Sequence, residues 1–201
     1  MEKININNVT LSYETVGEGS DILLLHGFPS NLFMWKKIKN DLVNNGYRVT
    51  IVEQRGYPLS RLDNSEISMF NITELSKDIE DLVKTLKLDQ NLTLVGHDWG
   101  SSVGWAFIAE HSDMIYSWTS LSIPHMRAFQ EAYRNDFDQQ KRSKYIGFFN
   151  MPFFPELYMS FNNYKNLRKI WKVHDETEIN AYLSVFRQTG AIRSALNWYR
   201  A

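Results

Sequence analysis

Leu94-Val95-Gly96-His97-Asp98-Trp99-Gly100 is the stretch from which the rest of the chain can be read. The apolar run Leu92 to Val95 predicts a buried strand, and a helical pattern begins at Ser101 and continues to Glu110. A strand joined to a helix by a tight Gly-x-Asp-x-Gly turn lifts the residue at its tip out of the sheet on a strained backbone. The glycines at Gly96 and Gly100 fit a turn that leaves no room for side chains. At the tip stands a carboxylate, Asp98, rather than a hydroxyl. A carboxylate attacks sp³ carbon and leaves an ester on the protein, which points to opening an epoxide or displacing a halide.

Outward from this turn, the pattern alternates strands and helices. Val9 to Val16 alternates apolar and polar residues and predicts a half-exposed strand near a sheet edge. Ile22 to Leu25 is continuously apolar, as in a strand buried on both faces, and runs into His26-Gly27-Phe28-Pro29. Asn31 to Val43 predicts a helix, with Gly46 as its stop, and Tyr47 to Val52 predicts the next strand before Gln54-Arg55-Gly56-Tyr57-Pro58. Asn71-Ile72-Thr73-Glu74 has capping-box spacing and opens a helix striped with Leu75, Ile79, Leu82, Val83 and Leu86. Ile115 to Ile123 predicts a further strand. Such alternation gives a mostly parallel sheet with helices on both faces, and ligands then sit beyond the carboxyl ends of the strands. His26-Gly27-Phe28, Arg55-Gly56 and Asp98 all fall at those ends.

After Pro124 strand signals stop and helical patterns rich in Phe, Tyr and Trp continue to Ala201. The expected organisation is therefore a core over residues 1–123 and a helical cap over 124–201. In the cap, Asp175 to Glu178 repeats the capping-box spacing before Ile179, Tyr182, Val185 and Phe186; Gly190 interrupts, and Ile192, Ala195, Leu196 and Tyr199 form a second stripe. The run from Lys165 to Lys172 reads as a solvated helix face, and Arg55-Gly56-Tyr57-Pro58 as a structural turn.

Three motifs, His26-Gly27-Phe28-Pro29, Gln54-Arg55-Gly56-Tyr57 and Gly96-His97-Asp98-Trp99-Gly100, occur in this order. With them the chain resembles an epoxide hydrolase of the α/β-hydrolase fold. Lys144-Tyr145-Ile146-Gly147-Phe148-Phe149 and Ala195-Leu196-Asn197-Trp198-Tyr199-Arg200 look like the two cap tyrosine segments of that family. The resemblance spans residues 10 to 201. It implies that Asp98 is the nucleophile, that Tyr145 and Tyr199 donate hydrogen bonds to the epoxide oxygen, and that the backbone N–H groups of Phe28 and Trp99 form an oxyanion hole. An alkoxide leaving group needs such donors, and the ester that follows needs a base to activate water.

The family's base is a histidine oriented by a carboxylate in strands that follow the cap. The expectation here is that those C-terminal core strands are missing, and none of the five histidines takes that role by position. Glu53 stands where the family commonly has Asp. Two other readings remain open: a haloalkane dehalogenase-like reaction at Asp98-Trp99, and an incomplete or binding domain completed by another chain, with self-association through an unfinished sheet edge. Bulk properties fit a small apolar substrate rather than a polyanion. The net charge is −1, so neither nucleic acid nor an anionic membrane is expected as a partner. No cysteines are present, and no cofactor or metal is expected. Met1 to Val9 lacks a secretory signal and no run could span a bilayer, so a cytoplasmic location is expected.

Overall fold

The computed structural model describes residues 1–62, 66–88 and 91–201. Ile22, Leu24, Val49 and Ile51 pack with Leu32 and Trp35, whereas Leu23, Leu25, Val52 and Leu94 belong to a second cluster with Leu75, Ile79, Leu82, Val103 and Phe107. Successive side chains of one strand thus enter two different layers, as the two-residue period of a strand requires. These strands are β3 (Ser20–Leu25), β4 (Tyr47–Glu53) and β6 (Thr93–His97). Helix α1 (Lys36–Asn44) lies against β4, and α2 (Ile72–Leu86) and α3 (Trp99–His111) pack on one another. Each fully buried leucine in these layers stabilises the fold by about 1.5–3 kcal/mol.

β4, β3, β6 and β7 (Ser117–Leu121) run parallel, in that spatial order. Leu25 lies opposite both Val52 and Gly96, and His97 opposite Leu121, so the carboxyl ends of these strands share one rim. The sheet continues antiparallel on the other side through β2 (Val9–Val16) to β1 (Glu2–Ile6), and β5 (Arg61–Leu62) also pairs with β2. β2 is therefore not at the edge: β1 covers it, and Ser12 on its supposedly polar side is buried with its hydroxyl on the Leu59 carbonyl. β1 carries no strand signal because its residues are mostly polar; backbone pairing with β2 holds it as a strand.

Local signals set the helix ends. The Asn71 side chain accepts the Glu74 N–H at 3.0 Å, and α2 stops at Lys87, which adopts φ 50°. The helix foreseen from Asn31 begins instead as a 3-10 turn, Leu32–Trp35, capped by the Asn31 side chain, before α1. After β7 the described chain is helical: α4 (Met126–Asn135), α5 (Phe137–Arg142), α6 (Lys144–Asn150), α7 (Phe154–Ile170), α8 (Glu176–Phe186) and α9 (Ala191–Arg200). α7 is not one helix, because residues 161–164 leave helical geometry and Asn162, Asn163 and Tyr164 have positive φ. Its lysines Lys165 and Lys169 are exposed, as is Lys172 beyond it. Arg200 ties the end of α9 to the α6–α7 connection through the Phe149 and Met151 carbonyls and an ion pair with Glu156 at 2.7 Å. No described helix is long and apolar enough to cross a membrane.

Candidate active site

Asp98 sits where β6 turns into α3, with φ 54° and ψ −120°. This is left-handed territory that a residue with a side chain adopts only when its surroundings hold it there. Those surroundings are specific. The Asp98 N–H donates to the Leu121 carbonyl at 3.2 Å, and the Ser101 hydroxyl donates to the Gly96 carbonyl at 2.6 Å, which buckles the turn against β6 and β7. A Cβ on Gly100 would lie 2.6 Å from the His26 carbonyl oxygen, so only glycine lets α3 approach the end of β3 this closely.

The loop after β3 meets this turn. The Phe28 N–H donates to Asp98 Oδ1 at 2.8 Å. A Cβ on Gly27 would stand 2.5 Å from the same Oδ1, and this contact fixes the residue type there. Burial raises the Asp98 carboxyl to about 6, against the pull of hydrogen bonds from the Trp99 and Phe28 backbones. The carboxylate is thus an anion in a poorly hydrated site, with two backbone donors directed at it.

Aromatic rings from the later helices close over it. Tyr199 on α9 stands edge-on to Trp99 at 5.1 Å and to Phe28 at 5.8 Å between centroids. Tyr145 on α6 lies 6.4 Å from Tyr199, ring to ring. Burial raises both phenols, and the Asp98 charge raises them further, Tyr199 well above its ordinary value. Both therefore remain protonated donors at neutral pH. Thus Asp98, Phe28, Trp99, Tyr145 and Tyr199, drawn from four separate parts of the sequence, form one cluster at the carboxyl rim of the sheet.

A sequence model of the α/β hydrolase fold family matches residues 22–179. The AB hydrolase superfamily protein YfhM of Bacillus subtilis is 34% identical over 207 residues, covering 98% of this chain and 71% of that protein. The chain belongs to the α/β hydrolase fold family. Epoxide hydrolase 3 of Xenopus tropicalis is 31% identical over 190 residues, which is 89% of this chain and 51% of that protein. A crystal structure of Bacillus megaterium epoxide hydrolase in complex with an inhibitor superposes with a TM-score of 0.91 at 29% identity, covering 99% of this chain and 71% of that one. Within its family this α/β hydrolase is therefore epoxide hydrolase-like. It spans between about half and seven-tenths of the length of these relatives.

Three residues of this α/β hydrolase bear on the site without having been singled out for it. Tyr57 is buried, donates its hydroxyl to the Gly27 carbonyl at 3.3 Å, and packs edge-on to His26 at 4.5 Å. Glu53 is fully buried and accepts the Leu32 N–H at 3.2 Å; burial raises its carboxyl to about 8, only partly offset by that bond. Ser101 makes the turn-locking bonds above. A tyrosine within a Gly-Tyr-Pro turn and a serine in a helix's first turn carry no sequence signal beyond their place at strand ends. Their roles arise from partners 20 to 30 residues away. Arg55 is structural as expected: it is buried, bound to both Asp78 oxygens, and donates to the Asn7 carbonyl at 2.9 Å. Among the described residues no group of three His, Asp or Glu side chains could hold a metal.

Proposed function

We propose that Asp98 opens a small apolar epoxide by attack of one carboxylate oxygen on a ring carbon. The C–O bond of the epoxide breaks, and the released alkoxide oxygen takes its proton from the tyrosine pair, Tyr145 and Tyr199. The product is a hydroxyalkyl ester on Asp98. The backbone N–H groups of Phe28 and Trp99 stabilise charge on the ester's carbonyl oxygen during its hydrolysis. On this reading residues 1–123 are the core and 124–201 the cap that brings the two phenols to the nucleophile. The observation that carries it is a strained, amide-bound carboxylate beneath two protonated phenols, in a chain whose relatives include epoxide hydrolases. A phenol that stays neutral at pH 7 stabilises an alkoxide most as charge develops, which is when it lowers the barrier.

Hydrolysis of the ester also requires a base, and four of the five histidines have other engagements. His26 Nε2 accepts the Gln54 N–H at 3.0 Å, His125 caps α4, and His174 contacts Glu178 at 3.0 Å. His111 faces Glu80 at 3.6 Å. His97 closes β6 one residue before the Asp98 turn; its Nδ1 is buried with no hydrogen-bond partner among the described residues, and burial lowers its pKa, which weakens it as a base. We therefore assign this chain the alkylation half-reaction. The test is intact-mass measurement after incubation with styrene oxide. A stable adduct mapped to Asp98, and absent in Asp98→Ala, is the expected result. An unmodified parent, indistinguishable from the variant, would falsify the reading, and halide released from an alkyl halide without epoxide adduct would redirect it to dehalogenation.

A further inference from the structure

The cap carries a patch that the chemistry at Asp98 does not use. Phe154, Leu157 and Phe161 occur at the spacing of one helical face, and they are 64%, 66% and 67% exposed. The break at residues 161–164 folds the chain back, and the Asn166 side chain donates to the Tyr158 carbonyl at 2.8 Å to fasten the two halves of α7. Between the halves lies a groove of about 540 Å³, with Lys165 and Lys169 along its other wall. Phe153 and Lys172, which flank α7 in the sequence, are exposed as well. The acidic residue of this helix, Glu156, is held by Arg200, and Arg168 is held by Glu176. The ammonium groups left on the patch therefore share one sign.

We propose that this face of the cap docks on an anionic lipid surface, with the phenyl and leucyl side chains entering the headgroup boundary and the lysines meeting the lipid phosphates. Large apolar side chains beside snorkelling lysines are the composition of an interfacial segment. The shared positive sign favours a lipid surface over a second copy of the chain, because two copies meeting face to face would bring these lysines together. The overall charge of −1 conceals this local cluster, which is why composition pointed away from membranes. The patch is also joined to the Asp98 site by contiguous rings. Tyr158 packs on Phe148 at 5.5 Å, Phe148 on Phe149 at 5.8 Å, and Phe149 on Tyr199 at 5.0 Å. The patch and the site are thus two ends of one packed aromatic cluster.

Vesicle flotation tests this and does not depend on Asp98 chemistry, so it stands or falls separately from the reading above. The full chain is mixed with vesicles of phosphatidylcholine alone, or of phosphatidylcholine with phosphatidylglycerol, at low and high salt. Flotation with the anionic vesicles, weakened by salt, is expected. Each lysine near an anionic surface contributes about fivefold to partitioning, so Lys165→Gln with Lys169→Gln lowers it about 30-fold. Leu157→Gln with Phe161→Gln is expected to reduce it to background; all four positions are exposed, and circular dichroism checks that both variants remain folded. The proposal is overturned if the parent does not float with anionic vesicles, or if both variants float as it does. It is equally overturned if light scattering shows the patch substitutions dissolving a dimer while the parent ignores vesicles.

Discussion

Replacing Asp98 with Asn should stabilise the protein at neutral pH while removing the proposed nucleophile. The folded carboxyl titrates at about 6, against an ordinary value of 3.8, with burial as the main cause. That displacement of about two units corresponds to about 3 kcal/mol at 1.36 kcal/mol per unit. Asp98 is only partly buried, and screening by the solvent that reaches it reduces this to about 2 kcal/mol. The sign follows from proton binding. Below about pH 4 the carboxyl is neutral in both folded and unfolded chains and costs nothing. Between pH 4 and 6 the unfolded chain has lost the proton that the folded chain still holds, so the parent loses stability as pH rises. Above pH 6 the full cost is present, and an amide, which does not titrate, escapes it. An Asn side chain keeps an oxygen to accept the Phe28 N–H. Urea titrations of parent and Asp98→Asn from pH 4 to 8 should show the variant gaining about 2 kcal/mol at the upper end, or about 4–8 °C in Tm for a chain of this size. The gain should vanish near pH 4. A variant no more stable at pH 8, or a difference independent of pH, would refute burial as the origin of the shift. The same titration limits alkylation, whose rate should rise about tenfold from pH 5 to pH 7 as the carboxylate forms.

Tyr145→Phe and Tyr199→Phe should each slow alkylation of Asp98 by about 100-fold, the usual effect of deleting one donor to developing oxyanion charge, with little change in melting temperature. Single-turnover mass measurements check this, and equal rates in all three proteins would remove the phenols from the mechanism. Arg55→Met should cost about 3 kcal/mol in urea unfolding, because it strips the buried Asp78 of a bidentate partner at 2.5 and 2.7 Å. A loss below 1 kcal/mol would mean that water or a proton replaces that partner.

What could be read from sequence, and what could not, separates along physical lines. β3, β4, β6 and α2 are legible because each carries its own signal: an apolar run in β3 and β6, a β-branched and aromatic stretch in β4, or Asn71 three residues ahead of Glu74. The Asp98 turn was legible because glycine is required wherever the backbone of α3 touches that of β3. β1 and β5 were not, because a polar edge strand exists through pairing with β2, and pairing leaves no mark in a short polar segment. The break in α7 has a local signal, the Asn162-Asn163 pair, since asparagine tolerates the left-handed region better than other residues with side chains. Tyr57, Glu53 and Ser101 act through partners remote in sequence, and only the parallel register of β4, β3, β6 and β7 gathers them at one rim.

That gathering explains why the Phe28 donor is a rigid one. The Gly27 carbonyl and the Phe28 N–H belong to the same planar peptide unit and point in opposite directions. The N–H is bound by Asp98 Oδ1 at 2.8 Å, and the carbonyl receives the Tyr57 hydroxyl at 3.3 Å. His26 supplies a second bond to that carbonyl. Its Nε2 accepts from Gln54 and burial lowers its pKa to about 3, so the ring is neutral and carries its proton on Nδ1, 3.3 Å from the Gly27 oxygen. The peptide is therefore fixed at both ends and polarised by two donors at its carbonyl, which strengthens its N–H as a donor in turn. Rotating it away would break three hydrogen bonds at once. If Phe28 stabilises charge on an Asp98 ester, the donor is already in place before the charge forms, so the reaction does not have to reorganise it. The logic of the site is geometric: a strained turn presents the carboxylate, and a peptide locked from behind by His26 and Tyr57 meets it.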